Sequence, residues 1–407
     1  MKLFSRMTAL ALAGVLSVCL LTGCRQDIPS ASGSTPDSVP EVVDVASIND
    51  ICLFLSGLNS DEVVAQGSGV SVTAGELMYW IAANCDNLRS YYYYYSGMDQ
   101  LPWDTTDETG ETTLADYVLE DAVKYAAVQR LVYEKGTQTG AGATQENKDA
   151  IENALNSMRA EADAAGNALQ TYLFQQGLTE DLFRWICECD YVYETLSQDN
   201  FGPDSPNPPT EESIRALRES QGEYKVKHIL LATLDTNTRK PLDQAAAAEK
   251  KATAEKLLAD LRASADPMKL FDEYMNTYSE DPGLADSPEG YLFTANTTVD
   301  PAFEEAALAL EYNQISELVE GVSGYHIILR LPLGVDLEGD AQVYTNTKMS
   351  LLTEEWLEQA DLKNTKAYDK LDAKVIYERL TAYRDAVSAL LTPAEPEADP
   401  APAQSQE

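Results

Sequence analysis

Along most of this chain apolar residues recur at helical spacing, and strand-like runs are confined to a few short stretches. Residues 61–75 read as two short strands around a turn at Gly67, Ser68 and Gly69. Thr73 then stands three residues before Glu76, the spacing of a capping box, so a helix should open there. That helix carries Leu77, Trp80 and Ile81 on one face, with the run Tyr91 to Tyr95 in or after its end. Leu114, Tyr117, Val118, Asp121, Tyr125 and Val128 predict a second helix from about Thr112 to Lys135, ending at Gly136. A third starts at Thr144, and a short one covers Leu169 to Gln176 before Gly177. Thr179 caps a fifth that runs to about Gln198, and Pro203, Pro206, Pro208 and Pro209 end this helical region.

From Pro209 to about Leu333 the pattern changes. Tyr224 to Ala232 reads as a strand, Ala245 to Ala263 and Met268 to Tyr278 as helices, and Ser279 to Gly290 as a loop. A short strand at Tyr291 to Phe293, a helix marked by Phe303, Ala306, Ala307 and Leu310, and strands at Ser316 to Val319 and Tyr325 to Leu331 complete an α+β unit. Beyond Leu333 the chain is helical again, with Met349, Leu352 and Trp356 lining one helix and Ile376, Leu380, Tyr383, Val387 and Leu390 another. Two amphipathic helices need a partner for their apolar faces, and the nearest candidate is the first helical region. The expected fold class is therefore α+β: a small antiparallel sheet with helices, inserted between two halves of a mainly α-helical body.

The chain ends divide the map further. Lys2 and Arg6 precede an apolar run, Met7 to Leu21, of about 15 residues, the length of a signal peptide and short for a membrane span. The following Leu21, Thr22, Gly23 and Cys24 resemble a bacterial lipobox, which implies that Cys24 is diacylated and becomes the mature N-terminus. Two acyl chains suffice for stable attachment to a membrane. The expected domains are a signal peptide (1–23), the lipidated cysteine and a tether (24–50), a helical N-terminal region (51–208), the α+β domain (209–334), C-terminal helices (335–391) and a Pro-, Ala- and Glu-rich acidic tail (392–407).

Composition narrows the partners. The 407 residues carry a formal charge of −38, which excludes charge-driven binding to nucleic acid or an anionic lipid surface and favours cationic partners or a simply solvated acidic surface. Cys187 and Cys189 are two apart on a predicted helix and point to different sides, and no C-x-x-C pattern occurs, so no metal site or cofactor is expected. Nothing in the spacing of Cys52, Cys85, Cys187 and Cys189 specifies a disulfide.

The chain has two histidines, and both lie in the α+β unit. Alternation puts His228 on the face of Val226 and Leu230, and His326 on the face of Ile328. If the two strands are neighbours the imidazoles can meet, either as core histidines that brace the sheet or as part of a site. Lys227-His228-Ile229-Leu230, Phe271, Tyr278-Ser279-Glu280-Asp281, Gly290, Phe293, Pro301 to Ala307, Ile315-Ser316 with Val319, and Gly324-Tyr325-His326-Ile327-Ile328 resemble the successive signatures of the parvulin family. The similarity covers residues 222–332, and the strand pair followed by helices resembles the N-terminal region of SurA- and PrsA-like foldases.

The resemblance implies a peptidyl-prolyl cis-trans isomerase. By position it implies His228, His326, Asp281 and Ser323 as the catalytic set and Phe303 as the aromatic wall of a proline pocket. The family's pocket methionine falls on Val299 or Thr298, and Tyr291 or Leu292 takes the place of its leucine wall. It further implies an extracytoplasmic, membrane-anchored chaperone whose partners are unfolded or nascent exported polypeptides containing proline. The alternative is a holdase with weak or no isomerase activity. A solute-binding lipoprotein would need repeated βαβ lobes, which the pattern lacks. The loop after the first strand of the unit holds only Arg239 and Lys240 as cations, so phosphorylated Ser/Thr-Pro is not an expected substrate.

Overall fold

The computed structural model describes residues 42–391 except 108, 236, 237, 239, 298 and 299. The signal segment 1–23, Cys24, the tether up to residue 41 and the tail 392–407 lie outside the described residues, as does Val299. The described chain divides into two compact units: the residues up to Pro206 with those from Asn346 onward, and Asn207–Thr345 between them.

The first unit is mainly helical. Helix α1 (Ile51–Ser56) precedes the hairpin of β1 (Val63–Gly67) and β2 (Val70–Thr73), and α2 (Ala74–Ser96) follows directly. Its start is fixed by Glu76, whose carboxylate accepts from the Thr73 amide at 2.7 Å and from the Thr73 hydroxyl at 3.0 Å. Helices α3 (Leu114–Thr139), α4 (Gln145–Ala164), α5 (Leu169–Phe174) and α6 (Glu180–Phe201) complete the N-terminal part. The run Tyr91 to Tyr95 lies inside α2, not beyond it.

Helix α3 runs through Gly136, where the sequence predicts its end, to a left-handed cap at Gly140 (φ 82°). Tertiary packing explains Gly136: a Cβ there would lie 2.1 Å from Val192 Cγ1 of α6, so the glycine admits a close helix–helix contact rather than a turn. From the C-terminal side come the residues of α11 (Leu337–Ala360) beyond Asn346, then β7 (Lys363–Asn364) and α12 (Ala373–Leu391). Strand β7 adds to β1, and Ile376, Tyr377, Leu380, Tyr383 and Val387 share one core with Leu77, Ile81 and Val118. Asp86 of α2 accepts from both Arg384 guanidinium nitrogens at 2.8 and 2.9 Å and from the Tyr377 hydroxyl at 2.7 Å. The four cysteines among the described residues are buried and form no disulfide with one another.

The second unit opens with α7 (Glu211–Ser220), which the sequence reading does not predict because only Ile214 of it is buried. Strand β3 (Glu223–Ala232), α8 (Gln244–Ala263), α9 (Pro267–Tyr278), β4 (Tyr291–Thr294), α10 (Pro301–Leu308), β5 (Val319–Glu320) and β6 (Gly324–Leu331) follow. They form an antiparallel sheet in the order β4-β3-β6-β5. Strand β5 is shorter than the expected 316–319 run; Ile315 makes only an isolated bridge to Leu329.

The two sheet faces differ. Ile229, Leu231, Tyr325, Ile327 and Leu329 pack on α8 and α9 through Leu257, Leu258, Leu261, Phe271 and Met275. The other face carries Tyr224, Val226 and Ile328 against Phe303 and Ala307 of the single short helix α10. Alternation therefore puts both histidines on the thinly covered face. Gly324 opens β6 because nothing larger fits: with φ at 149°, a Cβ there would sit 2.2 Å from the Leu231 carbonyl oxygen.

Candidate functional site

Strands β3 and β6 pair along their lengths, with His228 opposite Ile328 and His326 opposite Leu230. The histidines are thus diagonal neighbours on one face, within reach of each other. Their Nδ1 atoms lie 3.2 Å apart, and the residues are 8% and 5% exposed. One of the two Nδ1 atoms must carry the proton and the other accept it.

A pinned loop delivers Asp281 to this pair. Beyond Val226, β3 has no β4 partner, and the segment after α9 takes that edge. The Leu230 amide donates to Ser279 Oγ at 3.1 Å, the Glu280 amide to the Leu230 carbonyl at 2.8 Å, and the Ala232 amide to Glu280 Oε2 at 2.8 Å. Glu280 is also held by Lys250 of α8. With its two predecessors fixed, Asp281 places Oδ2 3.3 Å from His228 Nε2 and accepts from the Tyr291 hydroxyl on the same oxygen.

The electrostatics follow from this placement. Burial works to raise the Asp281 carboxyl, but the hydrogen bonds from His228 and Tyr291, the charge on His228 and the Gly283 amide outweigh it and hold the group at about 2. An ionised Asp281 accepts the Nε2 proton of His228. Burial, reinforced by the neighbouring His228, lowers His326 to about 4, and Asp300 and Asp281 only partly oppose the fall. The Tyr291 hydroxyl is pushed up, first by burial and then by its bond to Asp281 and the charges of Asp281 and Asp286. It therefore stays a protonated donor.

Aromatic side chains border the imidazoles. Phe303, 6% exposed at the start of α10, meets both rings edge-on at 5.2 Å, and its centroid is 6.1 Å from that of Phe293. Tyr291 stacks on Phe293 at 5.8 Å and lies 5.4 Å from His228. The register pairs Tyr291 with Val226 and Phe293 with Tyr224, so both face the histidines.

The same register corrects the reading of Leu292. It pairs with Lys225, points to the opposite face and is 55% exposed, so it lines no wall with Phe303. Ser323 also stands apart from the pair. Its carbonyl accepts from the Thr233 amide at 3.0 Å, but its hydroxyl makes no hydrogen bond to either ring among the described residues. His228, His326, Asp281, Tyr291 and Phe303 are brought together, whereas Leu292 and the Ser323 hydroxyl are not. Two cavities of ≈ 400 Å³ lie away from the imidazoles. One is lined in the first unit by Glu76, Arg130 and Trp185, the other on the far sheet face by Lys251, Arg262 and Tyr325.

The site also contains a residue the sequence reading passed over. Asp300 caps α10 by accepting from the Phe303 amide at 3.2 Å, accepts from the Val322 amide at 2.8 Å, and lies 3.9 Å from His326 Nε2. The signal was present: an aspartate directly before a proline that opens a helix is an N-cap.

Comparison with known proteins agrees with the geometry. The Rotamase family, described as the PPIC-type PPIASE domain, matches residues 228–331. The Foldase protein PrsA of Halalkalibacterium halodurans is 43% identical over 82 residues, which are 20% of this chain and 23% of that protein. The chain thus spans less than a quarter of the length of that curated relative. Similar solved structures include PrsA from Bacillus subtilis, 16% identical over 84% of this chain and 95% of that one at a TM-score of 0.23. Another is the peptidyl-prolyl isomerase ESS1 from Candida albicans, 25% identical over 27% of this chain and 63% of that one, also at a TM-score of 0.23. Among the described residues no helix is long and apolar enough to cross a membrane. Residues 228–331 of this chain form a PPIC-type peptidyl-prolyl isomerase domain of the parvulin kind.

Proposed function

We propose that the protein accelerates cis-trans rotation about X-Pro bonds in polypeptides that reach it unfolded, with the second unit as the isomerase and the helical first unit as a client-binding body. The supporting observation is the convergence of His228 and His326, at 3.2 Å, beneath the Phe303 ring. Rotation about the imide faces a barrier of about 18–20 kcal/mol, and no covalent bond is made or broken. The catalyst therefore needs only to hold the twisted imide better than the planar one. Twisting removes resonance and makes the imide less polar, so an apolar surface against the proline ring favours it. Phe303, with Phe293 and Tyr291 beside it, offers such a surface.

In this reading the carbonyl that leaves conjugation faces the imidazole pair, whose hydrogen-bond direction Asp281 and Tyr291 fix. Asp281, with Tyr291 behind it, positions His228, and His228 in turn orients His326. The domain boundaries proposed from sequence, 209–334 for the isomerase and 51–208 with 335–391 for the body, go with this division of labour. A diacylated Cys24 and a tether would hold the protein on the outer side of a cell membrane, where exported chains arrive. Its partners would then be exported polypeptides containing proline.

A protease-coupled assay on the full chain with proline tetrapeptides tests the reading: catalysis above the uncatalysed rate that falls with His326→Ala supports it, and no catalysis in the wild type ends it. A holdase with little isomerase activity is the second reading. The outward turn of Leu292 and a Ser323 hydroxyl that bonds neither imidazole among the described residues favour it, and suppression of client aggregation without catalysis would select it.

A further inference from the structure

Asp300 joins three parts of the second unit. Its Oδ1 fixes the first turn of α10, and with it Phe303; its Oδ2 holds the Val322 amide in the turn that leads into β6. The same Oδ2 faces His326 Nε2 at 3.9 Å. That nitrogen is buried and has no hydrogen-bond partner among the described residues. Gly321 closes over the carboxylate: a Cβ there would lie 2.2 Å from Asp300 Oδ2 and 3.1 Å from His326 Cδ2.

Proton counting turns this arrangement into a statement about the histidines. Asp281 accepts a hydrogen bond from the protonated Nε2 of His228, and a second proton must lie between the two Nδ1 atoms. With only these two protons, His326 Nε2 is a bare lone pair, buried and turned toward a carboxylate. An unsatisfied buried acceptor is unfavourable, and a facing negative charge makes it more so. A third proton on Nε2 replaces the lone pair that faces the carboxylate with an N–H turned toward it, so repulsion becomes attraction.

We propose that Asp300 is a positioning residue that holds a proton on Nε2 of His326, so that the unit reads carboxylate, imidazolium, imidazole, carboxylate from Asp281 through His228 and His326 to Asp300. His228 is then the charged ring, donating from both nitrogens. His326 is the neutral ring, accepting at Nδ1 and carrying its own proton on Nε2, on the side of Asp300. Every titratable group that faces the pair among the described residues has a place in this chain: Asp281 from the loop after α9, Tyr291 from β4 through Asp281, and Asp300 from the head of α10. The effect on turnover rests on the isomerase reading, but the protonation pattern does not.

The chain has two histidines, so selective ¹⁵N labelling of the imidazoles gives four nitrogen signals in the full-length protein, assigned with a His228→Gln variant. The wild type should show His326 protonated at Nε2 only and His228 protonated at both nitrogens. Asp300→Ser, which keeps a capping side chain, should release one proton from the pair, leaving His326 protonated at Nδ1 only and His228 at Nε2 only, and lower kcat/KM about tenfold, roughly 1.4 kcal/mol of barrier. Gly321→Ala, which leaves Asp300 in place but displaces its carboxylate, should shift the same signals in the same direction. A bare Nε2 on His326 in the wild type, or an unchanged pattern in both variants, overturns the proposal. If the wild type lacks isomerase activity yet shows the expected pattern, only the isomerase reading fails.

Discussion

Truncating Phe303 to alanine separates stability from catalysis with magnitudes that the structure supplies. The ring is 6% exposed and touches His228, His326 and Phe293 edge-on. Removing a buried phenylalanine costs about 3–5 kcal/mol, and the lower end applies because α10 is a single short helix on this face. In a unit of this size each kcal/mol moves the midpoint by about 3 °C, so its unfolding transition should fall by roughly 10 °C. The core of the first unit is separate, so calorimetry should show one transition moving and the other unchanged.

Catalysis should fall by a different amount. Enclosing the three ring methylenes of a proline is worth about 0.8 kcal/mol each, and a single wall supplies about half, or about 1.2 kcal/mol. At a temperature where the variant is folded, kcat/KM should therefore drop about eightfold. Phe303→Leu keeps the apolar wall and loses only the edge contacts to the rings, about 0.5–1.5 kcal/mol each. It should melt a few degrees lower and retain most of its turnover. A folded Phe303→Ala protein with wild-type kcat/KM would refute the assignment of this ring to the proline pocket.

Further outcomes follow from other residues. His326→Ala should abolish most of the catalysis in the protease-coupled assay while leaving the helical unit's melting unchanged. Folded-state values below the unfolded ones, 6.5 to about 4 for His326 and 3.8 to about 2 for Asp281, make both groups stabilising at neutral pH. The His326 part should be lost as pH falls from 6.5 through 4 and the Asp281 part from 3.8 through 2, so the urea midpoint of the second unit should decline first in the His326 window. Gly324→Ala should weaken the second unit by more than about 2 kcal/mol, because its Cβ would overlap the Leu231 carbonyl in the central strand pair; an unchanged urea midpoint contradicts that. Gly136→Ala should lower the transition of the first unit, although alanine is the better helix former, because Val192 occupies the space.

Much of the site was legible before any coordinates. Alternation alone puts His228 and His326 on defined strand faces, whereas Asp281 is singled out by the parvulin resemblance and not by spacing. Periodicity also marked most helices of both units, α1 and α7 excepted, and the change of pattern at Pro209, because burial of one face leaves its signature in local spacing. What stayed hidden depended on pairing between distant segments. The register of β4 on β3 decides that Tyr291 and Phe293 face the histidines and Leu292 does not, and a shift by one residue would reverse it. Gly136 reads as a helix stop in one dimension and proves to be a packing contact with Val192 in three. Asp300 reads as a cap, and only the fold brings its second oxygen to Val322 and His326. Local sequence thus determined most of the segments that become strands and helices and which residues of one strand share a face. The tertiary structure alone decided which side chains meet, because that is set by strand register and helix packing across segments almost a hundred residues apart.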